Sequence, residues 1–332
     1  MSDIIPIFTL GAARNGTTWL GNKLALHEAI ACAEHPLHHG IHESNILQHK
    51  LYWGDISRAD RYIDFLQLYA TEDYFLLAQG DVEYFAEHPQ PSFYTFFFEL
   101  MDRFARKTGC THWTTKLDPL LFLYPDEHEQ FMSELKQRYA TVKWIAIKRN
   151  IDDCMRSYVY MEGRNNKTRQ KPWVQPASVV LGVARYLQQY RHIEALVVQE
   201  QGLMLDFKTA ISDTTAVEQR IDKYLGLEQS LGGGRPVRHK VNTSFKDGSK
   251  RKELTGPSKI ALKASRSLLA KLPGVSRRLL YLFEKYKPAV SPVYRKIYKS
   301  RYFPEQLNEE FSKVGAPDLQ RMIEQNDATD NP

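Results

Sequence analysis

Residues 5–19 have the sequence IPIFTLGAARNGTTW, which predicts a strand, a loop and the start of a helix. Ile5 to Leu10 is short, apolar and followed by glycine, as is typical of a buried strand in a parallel sheet. The spacing of the apolar residues from Thr17 to His27 predicts a helix. A loop that leads from a strand into a helix offers backbone N–H groups and the positive end of the helix dipole to an anion. This stretch therefore predicts an anion-binding turn in an α/β protein.

The loop has the glycine spacing of a phosphate-binding P-loop, from Gly11 to Gly16, but Thr17 replaces the lysine of that motif. In a nucleoside triphosphatase this lysine reaches the β- and γ-phosphates, and the next Ser or Thr binds magnesium. Here Thr18 remains, and a cation occurs earlier, at Arg14. The loop therefore favours a 5′-phosphate with a sulfonate over MgATP. The other interpretation is a tight turn that binds no ligand.

Strands and helices alternate along the chain, which implies a parallel sheet covered on both faces. Further strands are predicted at Ile30 to Ala33, Trp113 to Leu117, Val142 to Lys148 and Leu203 to Phe207. Further helices are predicted at 58–70, 93–107, 127–139, 151–160, 177–199 and 213–225. We predict an α/β, P-loop-type three-layer fold with a central parallel sheet over residues 1–250. A helical, basic C-terminal extension over residues 251–332 is expected to pack on the same domain.

The composition excludes several classes of protein. Of the 332 residues 42% are hydrophobic and 25% are charged, as in an ordinary globular protein. No apolar run is long enough for a transmembrane helix, and the first residues do not resemble a signal peptide. Cys32, Cys110 and Cys154 are too few and too widely spaced to predict a disulfide framework or a zinc site. We expect a cytoplasmic protein.

Positive charge is concentrated near the C-terminus. Residues 246–301 contain 16 Lys or Arg and 3 Asp or Glu, whereas the rest of the chain has a net charge of −7. The segment predicts an anionic partner, such as phosphate, anionic lipid or a polyanion; the alternative is a solvated basic face on helices that pack against the core. Residues 257–272 mix apolar and basic side chains as interfacial helices do: Ile260, Leu262, Leu268, Leu269 and Leu272 with Lys259, Lys263, Arg266 and Lys271.

A second cation follows the strand at 142–148. Residues 149–157 have the sequence RNIDDCMRS, so Arg149 ends the strand and Ser157 lies two turns into the next helix. If Arg149 and Ser157 converge, they offer a charged donor and a hydroxyl donor to one phosphate. The alternative is that Arg149 pairs with Asp153 while Ser157 faces solvent.

Together, the two segments resemble the sulfotransferase family. The Gly-Thr-Thr loop resembles its 5′-phosphosulfate loop, and Arg149-x-x-x-Asp153-x-x-x-Ser157 is similar to its 3′-phosphate site. Three weaker similarities point to the carbohydrate and bacterial members of the family: Glu34-His35-Pro36-Leu37, with an inserted histidine; Thr114 to Pro119, with one extra residue; and Leu205-Asp206-Phe207 through Leu227. The resemblance covers about residues 5–230.

The resemblance implies a sulfotransferase that moves a sulfonate from 3′-phosphoadenosine-5′-phosphosulfate (PAPS) to a hydroxyl or amine, leaving adenosine 3′,5′-bisphosphate (PAP). The implied acceptor is a glycan, a glycolipid or another hydroxylated small molecule, and no nucleic acid is expected. The implied donor-binding residues are Arg14, Asn15, Gly16, Thr17, Thr18, Trp19, Arg149 and Ser157, with Lys250 and Arg251 in a basic loop that closes over the 3′-phosphate. Arg14 and Lys116 would neutralise the leaving 5′-phosphate, so no metal is expected.

The catalytic base is expected just after the second strand. Glu34 occupies the Glu-Pro-Leu position, and His35 is the second candidate because the insertion leaves the register open. His42 or Glu43 would serve if the loop folds back. The histidines of this stretch match the spacing of a zinc site only loosely. Two alternatives remain: a P-loop nucleotide kinase, and a non-catalytic nucleotide-binding module docked on a membrane. Peripheral contact with an anionic membrane, at its inner face, is also an expectation for the enzyme.

Overall fold

The computed structural model of the chain describes residues 2–12, 14–32, 34–35, 40–41, 82–117, 125–157, 174–227, 231, 256–272 and 275. The strands are β1 (Ile5–Leu10), β2 (Ile30–Cys32), β3 (Glu34–His35), β4 (Gly40–Ile41), β5 (His112–Lys116), β6 (Lys143–Lys148) and β7 (Leu203–Asp206). The helices are α1 (Thr17–Leu24), α2 (Val82–Glu87), α3 (Phe93–Lys107), α4 (Pro125–Arg138), α5 (151–157), α6 (Val174–Gln199), α7 (Phe207–Ser212), α8 (Thr214–Leu225) and α9 (Gly256–Lys271).

Five strands form a parallel sheet in the order β2-β5-β1-β6-β7. β1 lies at the centre, where Thr9 is in register with Lys116 on one side and Ile145 on the other. Because the strands are parallel, the segments that follow β1, β5 and β6 all leave the sheet at the same edge. This edge brings together the loop after β1, Lys116 at the end of β5 and Arg149 just after β6.

Helices cover both faces of the sheet. On one face, Ile7, Ile145 and Leu205 share a core with apolar residues of α1, α7 and α8. On the other face, Phe8 stacks on Trp144 at 4.8 Å between ring centroids and meets Phe131 of α4 edge-on at 5.6 Å. The sheet is therefore the middle of three layers, and the predicted α/β fold with a central parallel sheet is confirmed.

A buried carboxylate joins α3 to the aromatic layer. Asp102 is completely buried and accepts hydrogen bonds from Trp113 Nε1 at 2.9 Å and from the Tyr139 hydroxyl at 2.8 Å. It also accepts from Arg138 Nη2 at 2.7 Å, so its charge is balanced inside the fold. Burial and the neighbouring Asp102 raise the pKa of Tyr139, which keeps the phenol protonated as a donor.

The elements around β7 differ from the sequence prediction. The strand predicted to reach Phe207 ends at Asp206, and a short helix, α7, follows it immediately. The reason is capping: the Asp206 carboxylate accepts from Thr209 N at 2.9 Å, and Asp213 accepts from Ala216 N at 3.0 Å at the start of α8. The β3–β4 hairpin was not predicted either. The helix predicted at 58–70 lies outside the described residues.

The described part of the basic extension contains α9, which packs along α6. Leu262 and Leu269 belong to the same buried cluster as Val183 and Tyr186 of α6. Arg191 Nη2 also donates to the carbonyl oxygen of Ala270 at 2.9 Å. The predicted boundary between residues 250 and 251 lies outside the described residues. No described helix combines the length and the apolar composition that are needed to cross a bilayer.

Candidate functional site

The loop after β1 turns through two left-handed residues. Arg14 has φ 70° and Gly16 has φ 102°, and the N–H of Asn15 donates to the carbonyl oxygen of Ala12 at 3.1 Å. Gly16 is the N-cap of α1, and a glycine has no side chain with which to cap the helix. The first N–H groups of a helix have no intrahelical acceptor. The backbone N–H groups of the first turn of α1, from Thr17 to Trp19, and the positive end of the helix dipole therefore face the loop.

Asn15 ties the loop to its neighbours through a buried side chain. Its Nδ2 donates to the carbonyl oxygen of Ile147 in β6 at 3.1 Å, and its Oδ1 accepts from Cys154 Sγ of α5 at 2.7 Å. Burial raises the pKa of the Cys154 thiol to about 12, so the thiol stays protonated and acts as the donor. Asn15 therefore fixes the loop against both the sheet and α5.

The two predicted anion-binding segments meet in space. Arg14 Nε donates to Ser157 Oγ at 3.0 Å, and Arg149 Nη1 donates to the carbonyl oxygen of Arg14 at 3.4 Å. Ser157 is only 2% exposed, so the alternative in which it faces solvent is wrong. Two arginines and a hydroxyl thus lie together where the loop, the end of β6 and α5 converge.

Lys116 adds a third cation at the same edge of the sheet. It ends β5, its residue is buried, and its Nζ donates to Thr18 Oγ1 in the first turn of α1 at 3.5 Å. The peptide after it is also fixed, because Leu117 N donates to the carbonyl oxygen of Thr9 at 3.0 Å. Thr17 stands where a P-loop has its lysine. Lys116, from a neighbouring strand, therefore places a cation close to that position.

Phe207 is a site residue that the sequence prediction missed. The Arg149 guanidinium lies over its ring, with Cζ at 4.7 Å from the ring centroid. A Cβ atom on Gly16 would lie 2.4 Å from two carbons of the same ring, so the loop packs directly on Phe207. In the sequence, Phe207 was only the end of a predicted strand and part of the Leu205-Asp206-Phe207 similarity, and neither indicates contact with the loop.

The other predicted residues are only partly described. The Trp19 side chain is buried in the core between α1 and the sheet, so only its backbone is available to a ligand. Glu34 and His35 form β3, which pairs antiparallel with Ile41 and Gly40 of β4; their backbone follows β2 directly, and their side chains are outside the description. His42, Glu43, Lys250 and Arg251 lie outside the described residues. Within the described ranges, no group of three His, Cys, Asp or Glu side chains is placed to hold a metal ion.

The parallel sheet, the glycine loop after β1 and the cations beside it define an α/β protein of the P-loop type. The particular family follows from comparison with known proteins: the sequence model of the sulfotransferase family matches residues 6–230. The chain belongs to the sulfotransferase family, and the resemblance seen in its motifs is confirmed. A search of curated proteins gives no match.

Three of the solved structures to which the chain is similar are sulfotransferases or sulfotransferase domains, each at low sequence identity. One is the sulfotransferase domain of the olefin synthase from Synechococcus PCC 7002, at 13% identity and a TM-score of 0.45, covering 81% of this chain and 96% of that one. Another is the sulfotransferase domain of the curacin biosynthetic pathway, at 13% identity and a TM-score of 0.42, covering 98% of each chain. A third is the sulfotransferase STF9 from Mycobacterium avium, at 12% identity and a TM-score of 0.38, covering 82% of this chain and 69% of that one.

The packing of Gly16 on Phe207 gives a first prediction. Gly16→Ala should lower the affinity for PAP at least about tenfold, because the new methyl group meets the ring and the positive φ is strained. Gly226→Ala is the matched control: Gly226 also has a positive φ, 67°, but no atom of the described residues outside its chain neighbours lies within 4 Å of its Cβ position. Gly226→Ala should cost about 1 kcal/mol of unfolding free energy and leave the affinity unchanged. Calorimetric titration and urea unfolding measure both quantities, and equal affinities of the two variants would refute this role of Gly16.

Proposed function

We propose that the protein transfers a sulfonate from PAPS to a hydroxyl or amine of a glycan, a glycolipid or another small-molecule acceptor. The observation that carries the proposal is the 3.0 Å hydrogen bond from Arg14 to Ser157, because it joins two anion-binding segments into one site. A nucleoside with anionic groups at both its 3′- and 5′-positions has the charge pattern that such a double site favours. The proposed donor therefore spans the loop after β1 and the segment from Arg149 to Ser157.

The 3′-phosphate is assigned to Arg149, Ser157 and the side chain of Arg14. Phe207 supports the flat side of the Arg149 guanidinium, which leaves its in-plane N–H groups to donate to phosphate oxygens. Lys250 and Arg251 are assigned to the same phosphate. Arg251 precedes α9 by only five residues, a span of at most about 18 Å. Lys259 of α9 in turn lines a groove with Arg156, the neighbour of Ser157.

The 5′-phosphosulfate is assigned to the first turn of α1 and to Lys116. The N–H groups of Thr17, Thr18 and Trp19 offer donors to its oxygens. When the sulfur–oxygen bond to the 5′-phosphate breaks, negative charge grows on the phosphate, and donors that are already in place stabilise it without rearrangement. Lys116 suits this role because burial and its contact with Thr18 hold its amine beside the helix end.

Proton removal from the acceptor is assigned to Glu34, with His35 as the second candidate. Both follow β2 directly and therefore leave the sheet at the same edge as the loop. The base takes the proton of the acceptor hydroxyl while the acceptor oxygen bonds to the sulfur of PAPS. The sulfur–oxygen bond to the 5′-phosphate breaks in line, and its electron pair leaves with PAP. The transfer is balanced and needs no other co-reactant.

The same contacts weigh against a nucleotide kinase. In that class, the hydroxyl at the position of Thr18 binds magnesium. Here Thr18 Oγ1 accepts a hydrogen bond from the Lys116 amine at 3.5 Å, so a lysine lies where magnesium would bind this hydroxyl. A non-catalytic nucleotide-binding module would share the donor contacts but would show no turnover. We also assign the protein to the cytoplasm, since three cysteines that are widely spaced along the sequence do not form a disulfide framework, as is usual in a reducing compartment.

Thermal unfolding distinguishes the proposed donor site from an ATP site. PAP should raise the unfolding temperature, because a ligand that binds only the folded state stabilises it, whereas ATP with magnesium should raise it far less. Adenosine is the control for binding through the base alone. A shift with MgATP that equals or exceeds the shift with PAP would contradict the sulfotransferase proposal and favour a kinase.

Replacement of the candidate bases tests the chemistry separately from binding. Glu34→Gln should lower turnover about 10²–10⁴-fold, the usual effect of losing a general base, and leave the affinity for PAP unchanged. Turnover is measured as transfer of labelled sulfonate from PAPS to a library of hydroxylated acceptors. If Glu34→Gln is active and His35→Ala is inactive, the base is His35. Full activity of both variants would exclude β3 and move the role to His42 or Glu43.

A further inference from the structure

Helix α9 has a second apolar face, which points to solvent. Leu262 and Leu269 are buried against α6, as a core-packed helix requires. Ile260 and Leu268, in contrast, are 71% and 56% exposed, and Leu272, just beyond the helix, is 47% exposed. These three residues and the exposed Ala264 follow one another at four-residue spacing, so they form one ridge along the helix surface. We call residues 260, 264, 268 and 272 the outer ridge.

This arrangement corrects the sequence interpretation. The sequence suggested one apolar face that includes Leu262 and Leu269, but packing on α6 removes both from any external surface. The outer ridge is therefore narrower than predicted. A plain solvated basic helix would explain the lysines of α9 but not the exposure of Ile260 and Leu268, because large apolar side chains in a row usually mark a contact surface.

A cationic groove lies between α9 and α5. It encloses about 550 Å³ and is lined by Lys259, Lys263 and Arg266 of α9 and by Asp152 and Arg156 of α5. Arg266 Nη1 bonds to the Asp152 carboxylate at 2.8 Å, so one of the four cations is already balanced. The charged residues that line the groove sum to a net positive charge, and its volume is large enough for a phosphate with its substituents.

An apolar ridge beside a cationic groove matches the chemistry of one partner in particular, an anionic lipid surface. Interfacial helices place apolar side chains at the boundary between head groups and acyl chains and place Lys and Arg near lipid phosphates. The 16 residues of α9 give a helix of about 24 Å, long enough to lie along such a surface. Each Lys or Arg near an anionic membrane adds to the attraction.

We propose that α9 docks the protein on an anionic membrane surface, with the outer ridge in the interface and a lipid phosphate in the groove between α5 and α9. Because the ridge is narrow, binding depends on the charges as well as on the apolar contact. The groove and the candidate donor site share α5: Asp152 and Arg156 face the groove, while Cys154 and Ser157 contact the loop after β1. Docking therefore brings the donor site close to the bilayer. On the proposed function, this favours an acceptor hydroxyl that is carried on a lipid.

Sedimentation with vesicles tests the docking. The whole protein should pellet with mixed phosphatidylserine and phosphatidylcholine vesicles at low salt, and should not pellet with phosphatidylcholine alone. At about 0.5 M salt, where the Debye length falls to roughly 4 Å, the bound fraction should drop sharply. Soluble glycerophosphoserine should compete only weakly, because it offers the phosphate without the interface.

Two variants separate the charge from the ridge, each with a matched control. Lys263→Glu should weaken vesicle binding about tenfold or more, whereas Lys223→Glu, on the exposed surface of α8, should not. Leu268→Ser should weaken it about fivefold, whereas Ile211→Ser, which is 60% exposed on α7, should not. The unfolding temperature checks that every variant is folded. Vesicle binding is measured without PAPS or PAP, so the result does not depend on donor binding.

Either of two results would overturn the proposal. In the first, the wild-type protein stays in the supernatant with anionic vesicles at low salt. In the second, Lys263→Glu abolishes binding but Leu268→Ser leaves it unchanged and glycerophosphoserine competes fully; the groove would then be a site for a soluble phosphate. A positive result together with a failed PAP experiment would keep the docking surface and reject the sulfotransferase reaction.

Discussion

The buried side chain of Asn15 holds the candidate site together. One amide bonds the loop after β1 to Ile147 in the sheet and to Cys154 in α5, and no solvent reaches either contact. Without the Asn15 side chain, the buried Ile147 carbonyl and Cys154 thiol would have no partner in this contact. The free-energy penalty of an unpaired buried polar group exceeds the net contribution of the hydrogen bond it replaces. The left-handed turn at Arg14 depends on this anchor, and so does the hydrogen bond from Arg14 to Ser157. The site is therefore fixed by the fold rather than assembled by its ligand.

The electrostatics of the site follow from that fixed geometry. Arg14, Arg149 and Lys116 come from three different segments that leave the sheet at one edge, so like charges are held near one another before a ligand binds. This repulsion favours an anion with several charges over a single phosphate. The end of α1 adds directional N–H donors on the same side. On the proposed function, a transition state whose charge moves onto a phosphate would meet these donors already in place.

Much of this could be predicted from the sequence, because the deciding signals are local. Short apolar runs ending at glycine or arginine located β1 and β6, and the loop spacing located Gly16. Long-range contacts could not be predicted: Phe207 under Arg149, Cys154 on Asn15, and Arg14 directed toward Ser157 all depend on the register of the sheet. The β3–β4 hairpin is too short for a periodic pattern. In α9, apolar residues occur around most of the helix, and only packing on α6 decides which of them face water.

On the proposed function, Arg149 and Ser157 bind a 3′-phosphate beside a loop that binds the 5′-end of the donor. The most direct test is the ratio of the affinities for PAP and for adenosine 5′-monophosphate, measured by calorimetry in the wild type and in Arg149→Ala. The wild type should prefer PAP, and Arg149→Ala should lose about 2–4 kcal/mol of PAP binding with little change for the monophosphate. Ser157→Ala should lose about 1 kcal/mol in the same direction. An unchanged ratio in folded Arg149→Ala would contradict the account.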